Sequence, residues 1–137
     1  MGTGGIELLA TSMASIMTPF TATALTGLTA GTMSWFSSTM GVVLPTLLPT
    51  LGHISETVGG GVTVLAMTSI IGIVSSSAGF SPASTVGALI MAAHDGDAEY
   101  VKTKAPGRLF IEMFAWSVFC VLFLCVLSLT GIFAIFQ

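Results

Sequence analysis

Residues 109–136, LFIEMFAWSVFCVLFLCVLSLTGIFAIF, form an apolar run longer than the roughly 20 residues an α-helix needs to cross the hydrocarbon of a bilayer. Its one charge, Glu112, lies a turn inside the start, where the side chain can reach the interface as a solvated acid. The run predicts a spanning helix. A chain built around such a helix must pair its backbone N–H and C=O groups within protein, because hydrocarbon cannot satisfy them. The rest of the composition agrees: 53% of the 137 residues are hydrophobic and 7% are charged, too little polar surface for a water-soluble domain of this length. A cleaved secretory signal does not account for this, since the first ten residues hold no basic group and apolar segments continue to the end. The expectation is an all-α integral membrane protein, one membrane domain over residues 1–137, multi-pass in the cell (inner) membrane.

Charge placement orients it. All three basic residues, Lys102, Lys104 and Arg108, fall in HDGDAEYVKTKAPGR, residues 94–108, a stretch punctuated by Gly and Pro. The positive-inside tendency makes this a cytoplasmic loop and sends the last helix outward. Six acids against three bases, a net charge of −3, give no surface for nucleic acid. Cys120 and Cys125 lie in the most apolar run at a spacing that does not put them on one helix face, and are read as lipid-facing or packed thiols. His53 and Glu56 fall in a polar extracellular turn over residues 51–61, and His94 in the cytoplasmic loop, so no nucleophile–base pair or metal cluster sits at membrane depth and no enzymatic activity is expected.

The middle of the chain holds two interrupted segments. Residues 60–93 must cross back to the cytoplasm, yet SSSAGFSPAST divides them, and the 13 residues from Val62 to Val74 reach only about 20 Å against a hydrocarbon core of roughly 30 Å. A run of serines with Gly and Pro is a poor helix interior, which places a break near mid-membrane. Residues 18–50 repeat the pattern: TPFTATALTGLTAGTMSWF, then SST, then about ten apolar residues, too few to span. They are read as a re-entrant helical hairpin entered from outside. Its first arm offers Ala22, Ala24, Gly27, Ala30 and Gly31 for close helix packing. Residues 1–17 are a connecting or interfacial helix.

Unwound backbone at membrane depth persists only where protein or a water-filled cavity covers it. Broken helices in transporters aim their N-terminal ends at anions while free carbonyls and hydroxyls hold a cation. The candidate anion-binding residues are Ser37, Ser38 and Thr39 in the first break and Ser81, Pro82, Ser84 and Thr85 in the second. The cation candidates are Ser37, Thr39, Ser76, Ser77 and Ser81, all neutral oxygen donors. Ser75 to Ser77 are expected to support the unwound backbone.

At SWFSSTMGVVLPTLLPTLGHISE and SIIGIVSSSAGFSPASTVGALIMAA the sequence resembles the C-terminal half of the ion transporter superfamily, in particular the malonate/dicarboxylate carriers related to divalent-anion:sodium symporters. Ser37 and Thr39 match the outer residues of a Ser-Asn-Thr hairpin tip, with Ser38 in the place of Asn. Ser81-Pro82-Ala83-Ser84-Thr85 resembles a Thr-Pro-Pro-Asn-Ala break, again without Asn. The resemblance implies one inverted repeat of an elevator-type transporter: a re-entrant hairpin, a broken transmembrane helix and a C-terminal spanning helix. It implies symport of a small dicarboxylate such as malonate or succinate, with a sodium ion or a proton as coupling ion. No second copy of the motifs occurs here. The chain is therefore expected to work with a complementary N-terminal half or as a homo-oligomer. The alternative is a non-transporting membrane fragment or a small subunit that binds another membrane protein.

Overall fold

The computed structural model describes residues 3–131, and every element in it is helical. In chain order these are α1 (Thr3–Ile16), α2 (Ala22–Trp35), a π turn (Thr39–Val43) leading into α3 (Leu44–Leu47), a 3-10 turn (Leu48–Thr50) leading into α4 (Leu51–Val58), α5 (Val64–Ala78), α6 (Thr85–Asp95), α7 (Ala98–Thr103) and α8 (Pro106–Leu129). At 1.5 Å per residue the 24 residues of α8 extend about 36 Å. Among the described residues it is the one helix long and apolar enough to cross a membrane. Only 11% of its most apolar stretch is buried within the chain, and Ile111, Trp116, Phe119 and Phe123 project outward. Such a surface belongs in an apolar medium or against an apolar partner, since exposure to water costs roughly 25 cal/mol per Å². Pro106 at the first turn starts the helix three residues earlier than expected, its missing N–H being one that no helix start uses. Residues 132–136 of the expected span lie outside the described residues.

Helices α2 and α5 lie side by side, and α8 packs across both. Glycine sets the approach. A Cβ on Gly27 would stand 2.7 Å from Ile70, and one on Gly31, a turn further, 2.8 Å from Val121 and 3.0 Å from Val74. With Ala22, Ala24 and Ala30 also buried, this is the small-residue face that lets backbones close. Gly27 meets Ile70 and Gly31 meets Val74, so α2 and α5 run in the same direction. Thr23 bonds Ser128 while Trp35 lies against Phe114, ring centroids 5.9 Å apart, so α8 runs opposite to both.

Past Trp35 the chain turns at residues 36–38 and returns as one helical limb to Val58. Ser55 Oγ donates to the Val62 carbonyl at 2.6 Å, and Gly60 presses on Pro19 beside the start of α2. The limb and α2 thus form an antiparallel helical hairpin. It is longer than the ten residues expected, because Pro45 and Pro49 do not end it. Each removes one N–H donor, and the helix widens into the π turn before Pro45 and tightens into the 3-10 turn at Pro49.

Two other expected loops are helical as well. The polar turn over residues 51–61 shrinks to residues 59–61, because Leu51 and Ile54, one turn apart, bury themselves while His53 and Glu56 stay outside. Gly59, Gly60 and Gly61 make the remaining turn, all at positive φ, which other residues adopt only under strain. In residues 94–108, α6 continues to Asp95, and Asp97 caps α7 by accepting from the N–H of Glu99 at 2.9 Å and of Tyr100 at 3.4 Å. Glu112 is more than a solvated acid: Lys104 Nζ donates to it, as does Arg108 Nε at 3.1 Å. Both pairs lie at an exposed helix start, where solvent screens them and they add little to stability.

Gly31→Val should lower stability by about 1–3 kcal/mol, because its side chain must displace Val121 and Val74. Gly72→Ala, with nothing within 4 Å of its Cβ, should leave stability unchanged or raise it by up to about 1 kcal/mol. Unfolding of the detergent-solubilised protein measures both.

Candidate functional site

Each break is built by a serine that ends one helix or starts the next. At the first, Ser37 Oγ donates back to the Met33 carbonyl at 2.5 Å, while Ser38, in extended conformation, accepts from the Gly41 N–H at 3.2 Å and so caps the returning limb. At the second, Ser84 caps α6 by accepting from the Gly87 N–H at 3.1 Å and donates to the carbonyls of Ser81, at 2.8 Å, and Gly79. Gly87 has no room for a side chain: a Cβ there would stand 1.9 Å from the Ser81 carbonyl oxygen.

This second break is shorter than expected. Ser75 to Ser77 are helical, part of the last turn of α5, and only residues 79–84 leave the helix. The reason is local. Ser75 Oγ donates to the Ile71 carbonyl at 2.5 Å and Ser77 Oγ to the Ile73 carbonyl at 2.9 Å, so the hydroxyls are absorbed one turn back instead of opening the backbone.

The two breaks meet. Ser34 Oγ donates to the Ser75 carbonyl at 2.7 Å, Thr39 Oγ1 donates to the same oxygen at 3.0 Å, and the two hydroxyls are 3.0 Å apart. From the other side Ser117 Oγ, buried on α8, donates to the Ala78 carbonyl at 3.0 Å. Ser117 is the twelfth of the 24 residues of α8. The breaks therefore lie level with the middle of the long apolar helix.

A pocket of about 160 Å³ opens between them, lined by Ser37, Ser38, Thr39 and Met40 from the hairpin and by Gly79, Ser84, Thr85 and Val86 from the broken segment. Of the expected anion residues, Ser37, Ser38, Thr39, Ser84 and Thr85 come together here. Ser81 and Pro82 are buried within the turn instead, where Ser81 Oγ accepts from the Ala83 N–H at 3.3 Å. Of the expected cation residues, Ser37 and Thr39 line the pocket, whereas Ser76 is exposed, Ser77 faces its own helix and Ser81 is enclosed. Ser34 and Ser117 were not among the expected site residues. Extending the Gly27 and Gly31 face by one turn reaches Ser34, a usable signal; nothing local marks Ser117.

Among the described residues no charged side chain lines the pocket, and its electrostatics come from backbone. The first N–H groups of a helix have no partner within it. Those of Thr39, Met40, Thr85 and Val86 pair with no acceptor among the described residues. Two helix starts, each equivalent to about half a positive charge, thus face one small space. Its volume is about five times that of a water molecule in the liquid and below the roughly 300 Å³ of a small complete ligand site. The arrangement is suited to hold one end of a small anion. Comparison with family models, with curated proteins and with solved structures finds no match.

Because Ser34 and Thr39 share one acceptor, each alone is partly replaceable. Ser34→Ala or Thr39→Ala should each lower stability by about 0.5 kcal/mol and the double variant by about 2 kcal/mol, a coupling read from a double-mutant cycle.

Proposed function

We propose that the chain is one repeat of an elevator-type secondary transporter for small dicarboxylates of the malonate or succinate kind, working in the inner membrane with a complementary N-terminal half. The observation that carries this reading is the convergence of two helix starts on one pocket at mid-height of α8, with four N–H groups that have no acceptor among the described residues. In this reading α8 spans the bilayer, α2 and the limb that ends at Val58 form a re-entrant hairpin, and α5 and α6 are the halves of a broken transmembrane helix. Two half-charges balance about one of the two negative charges of a dicarboxylate. The second charge falls to the facing repeat or to a coupling cation, a sodium ion or a proton, for which the oxygens of Ser37 and Thr39 retain lone pairs. Transport follows from exposing the loaded pocket alternately to the two sides.

The test is uptake of labelled succinate and malonate into proteoliposomes, by this chain alone and together with a co-expressed N-terminal half that carries the complementary hairpin and broken helix. Saturable uptake is expected in the pairing. Met40→Glu places a carboxylate on the pocket wall at an exposed position and should lower uptake at least about tenfold, the effect of roughly 1.4 kcal/mol of repulsion, without disturbing the fold. Correctly inserted protein that gives no uptake in any pairing overturns the proposal.

A further inference from the structure

Helix α6 buries only Gly87, and a groove runs between it and α8. The deeper part, about 300 Å³, is walled by Phe80, Ile90, Leu109, Met113 and Trp116 together with Glu112. Ile90 and Leu109 also line a second hollow of about 360 Å³, which continues the groove to His94, Asp97 and Tyr100. From Leu109 to Trp116 the groove follows α8 for about 10 Å, against roughly 15 Å for one leaflet of the hydrocarbon core. It is apolar toward the middle of α8 and polar where residues 94–108 begin.

The polar end lacks a donor. Asp97 Oδ1 caps α7, but among the described residues Oδ2 accepts no hydrogen bond and no basic side chain pairs with the carboxylate. In the same hollow the His94 side chain is only 10% exposed, and its Nδ1 lies 3.3 Å from Asp95 Oδ1. That carboxylate can only accept, so the ring proton faces it and Nε2 of the neutral imidazole is left as an acceptor. Nε2 is buried and has no partner among the described residues, a position that costs free energy until a donor reaches it. A lone pair and a carboxylate in one hollow call for a group that carries both several N–H donors and a positive charge, a primary ammonium. Charge of the opposite sense stands on α8. Lys104 and Arg108 share the single carboxylate of Glu112, which leaves one positive charge in excess, and the Arg108 guanidinium keeps N–H groups beyond the Nε given to Glu112.

We propose that this groove holds one phosphatidylethanolamine molecule of the leaflet in which residues 94–108 lie, its ammonium at Asp97 and His94, its phosphate toward Arg108 and Lys104, and an acyl chain along α8 as far as Trp116. The inference needs α8 to cross the bilayer and is independent of what the serine-lined pocket binds. A soluble amine would leave the apolar walls uncovered. Phosphatidylcholine brings a bulkier cation with no N–H, and phosphatidylglycerol brings no cation, so neither supplies the missing donor and the missing charge together.

The experiment uses the full chain in detergent, with phosphatidylethanolamine, phosphatidylcholine or phosphatidylglycerol of identical acyl chains added in turn and bound lipid counted by native mass spectrometry. One phosphatidylethanolamine should bind about tenfold more tightly than either other lipid, the effect of one charge-assisted hydrogen bond. Asp97→Asn removes the charge and keeps the helix cap, since Asn caps as well as Asp. It should weaken phosphatidylethanolamine about tenfold and leave phosphatidylcholine within about twofold of wild type. Asp97→Ser, another good cap, carries the same expectation should Asp97→Asn not fold. Glu99→Gln removes an exposed acid of α7 that does not line the groove and should shift no lipid by more than about twofold. Equal affinity for the three lipids, tighter binding of phosphatidylglycerol, no bound phosphatidylethanolamine, or an Asp97→Asn effect that is the same for every lipid overturns the proposal. Failure of dicarboxylate uptake leaves it standing.

Discussion

The carbonyl oxygen of Ser75 ties two interrupted helices together. It accepts from Ser34 at the end of α2, from Thr39 at the start of the returning limb, and from the Gly79 N–H where α5 gives way to the break. Each of these groups lies near a helix terminus, where the helix itself offers no partner. A buried polar group left unpaired costs about 1–3 kcal/mol, and a native fold is stable by only about 5–15 kcal/mol, so several such losses at one place would dissolve it. The pocket lies where the two ends satisfy each other on one side and, on the other, present N–H groups with no acceptor among the described residues.

That pairing depends on packing one turn away. Gly27 and Gly31 bring the backbone of α2 against Ile70, Val74 and Val121, and only at that separation does Ser34, the next residue on the same face, reach α5. The same approach aligns α8, whose Ser117 then meets the break from behind. A chain of causes thus leads from missing side chains, through helix separation, to hydrogen bonds between residues about 40 positions apart, and so to the shape of the pocket.

The parts of this fold legible in the sequence were those written in local pattern. Length and apolarity marked α8, the small-residue stripe marked the face of α2, and the clusters Ser37-Ser38-Thr39 and SSSAGFSPAST, the second with Gly and Pro, marked the two interruptions. Expectations departed from the structure where tertiary context overrode a local rule. The limb after Ser37-Ser38-Thr39 read as about ten residues, but a π turn and a 3-10 turn carry the helix past Pro45 and Pro49 to Val58. HISE read as a polar turn, but Leu51 and Ile54 give residues 51–58 a face to bury. Ser75 to Ser77 read as unwound, but their hydroxyls fold back onto their own helix. At the pocket, five of the seven expected anion residues converge, while Ser34 and Ser117 escaped notice because their importance lies in partners 41 and 39 residues away.

Sequence separation also orders the assembly in time. The hydrogen bond between Ser34 and Ser75 spans 41 residues, whereas that between Thr23 and Ser128 spans 105. During synthesis from the N-terminus, α2 and α5 are both complete before α8 exists, and between them they carry every residue of the Ser34–Ser75 contact. The side of Gly31 that Val121 will cover stays bare until the last helix is made. A nascent chain that joins its two half-length helices at that point has one flank open. Whatever shelters that flank, lipid or an insertion factor, must yield it when α8 arrives.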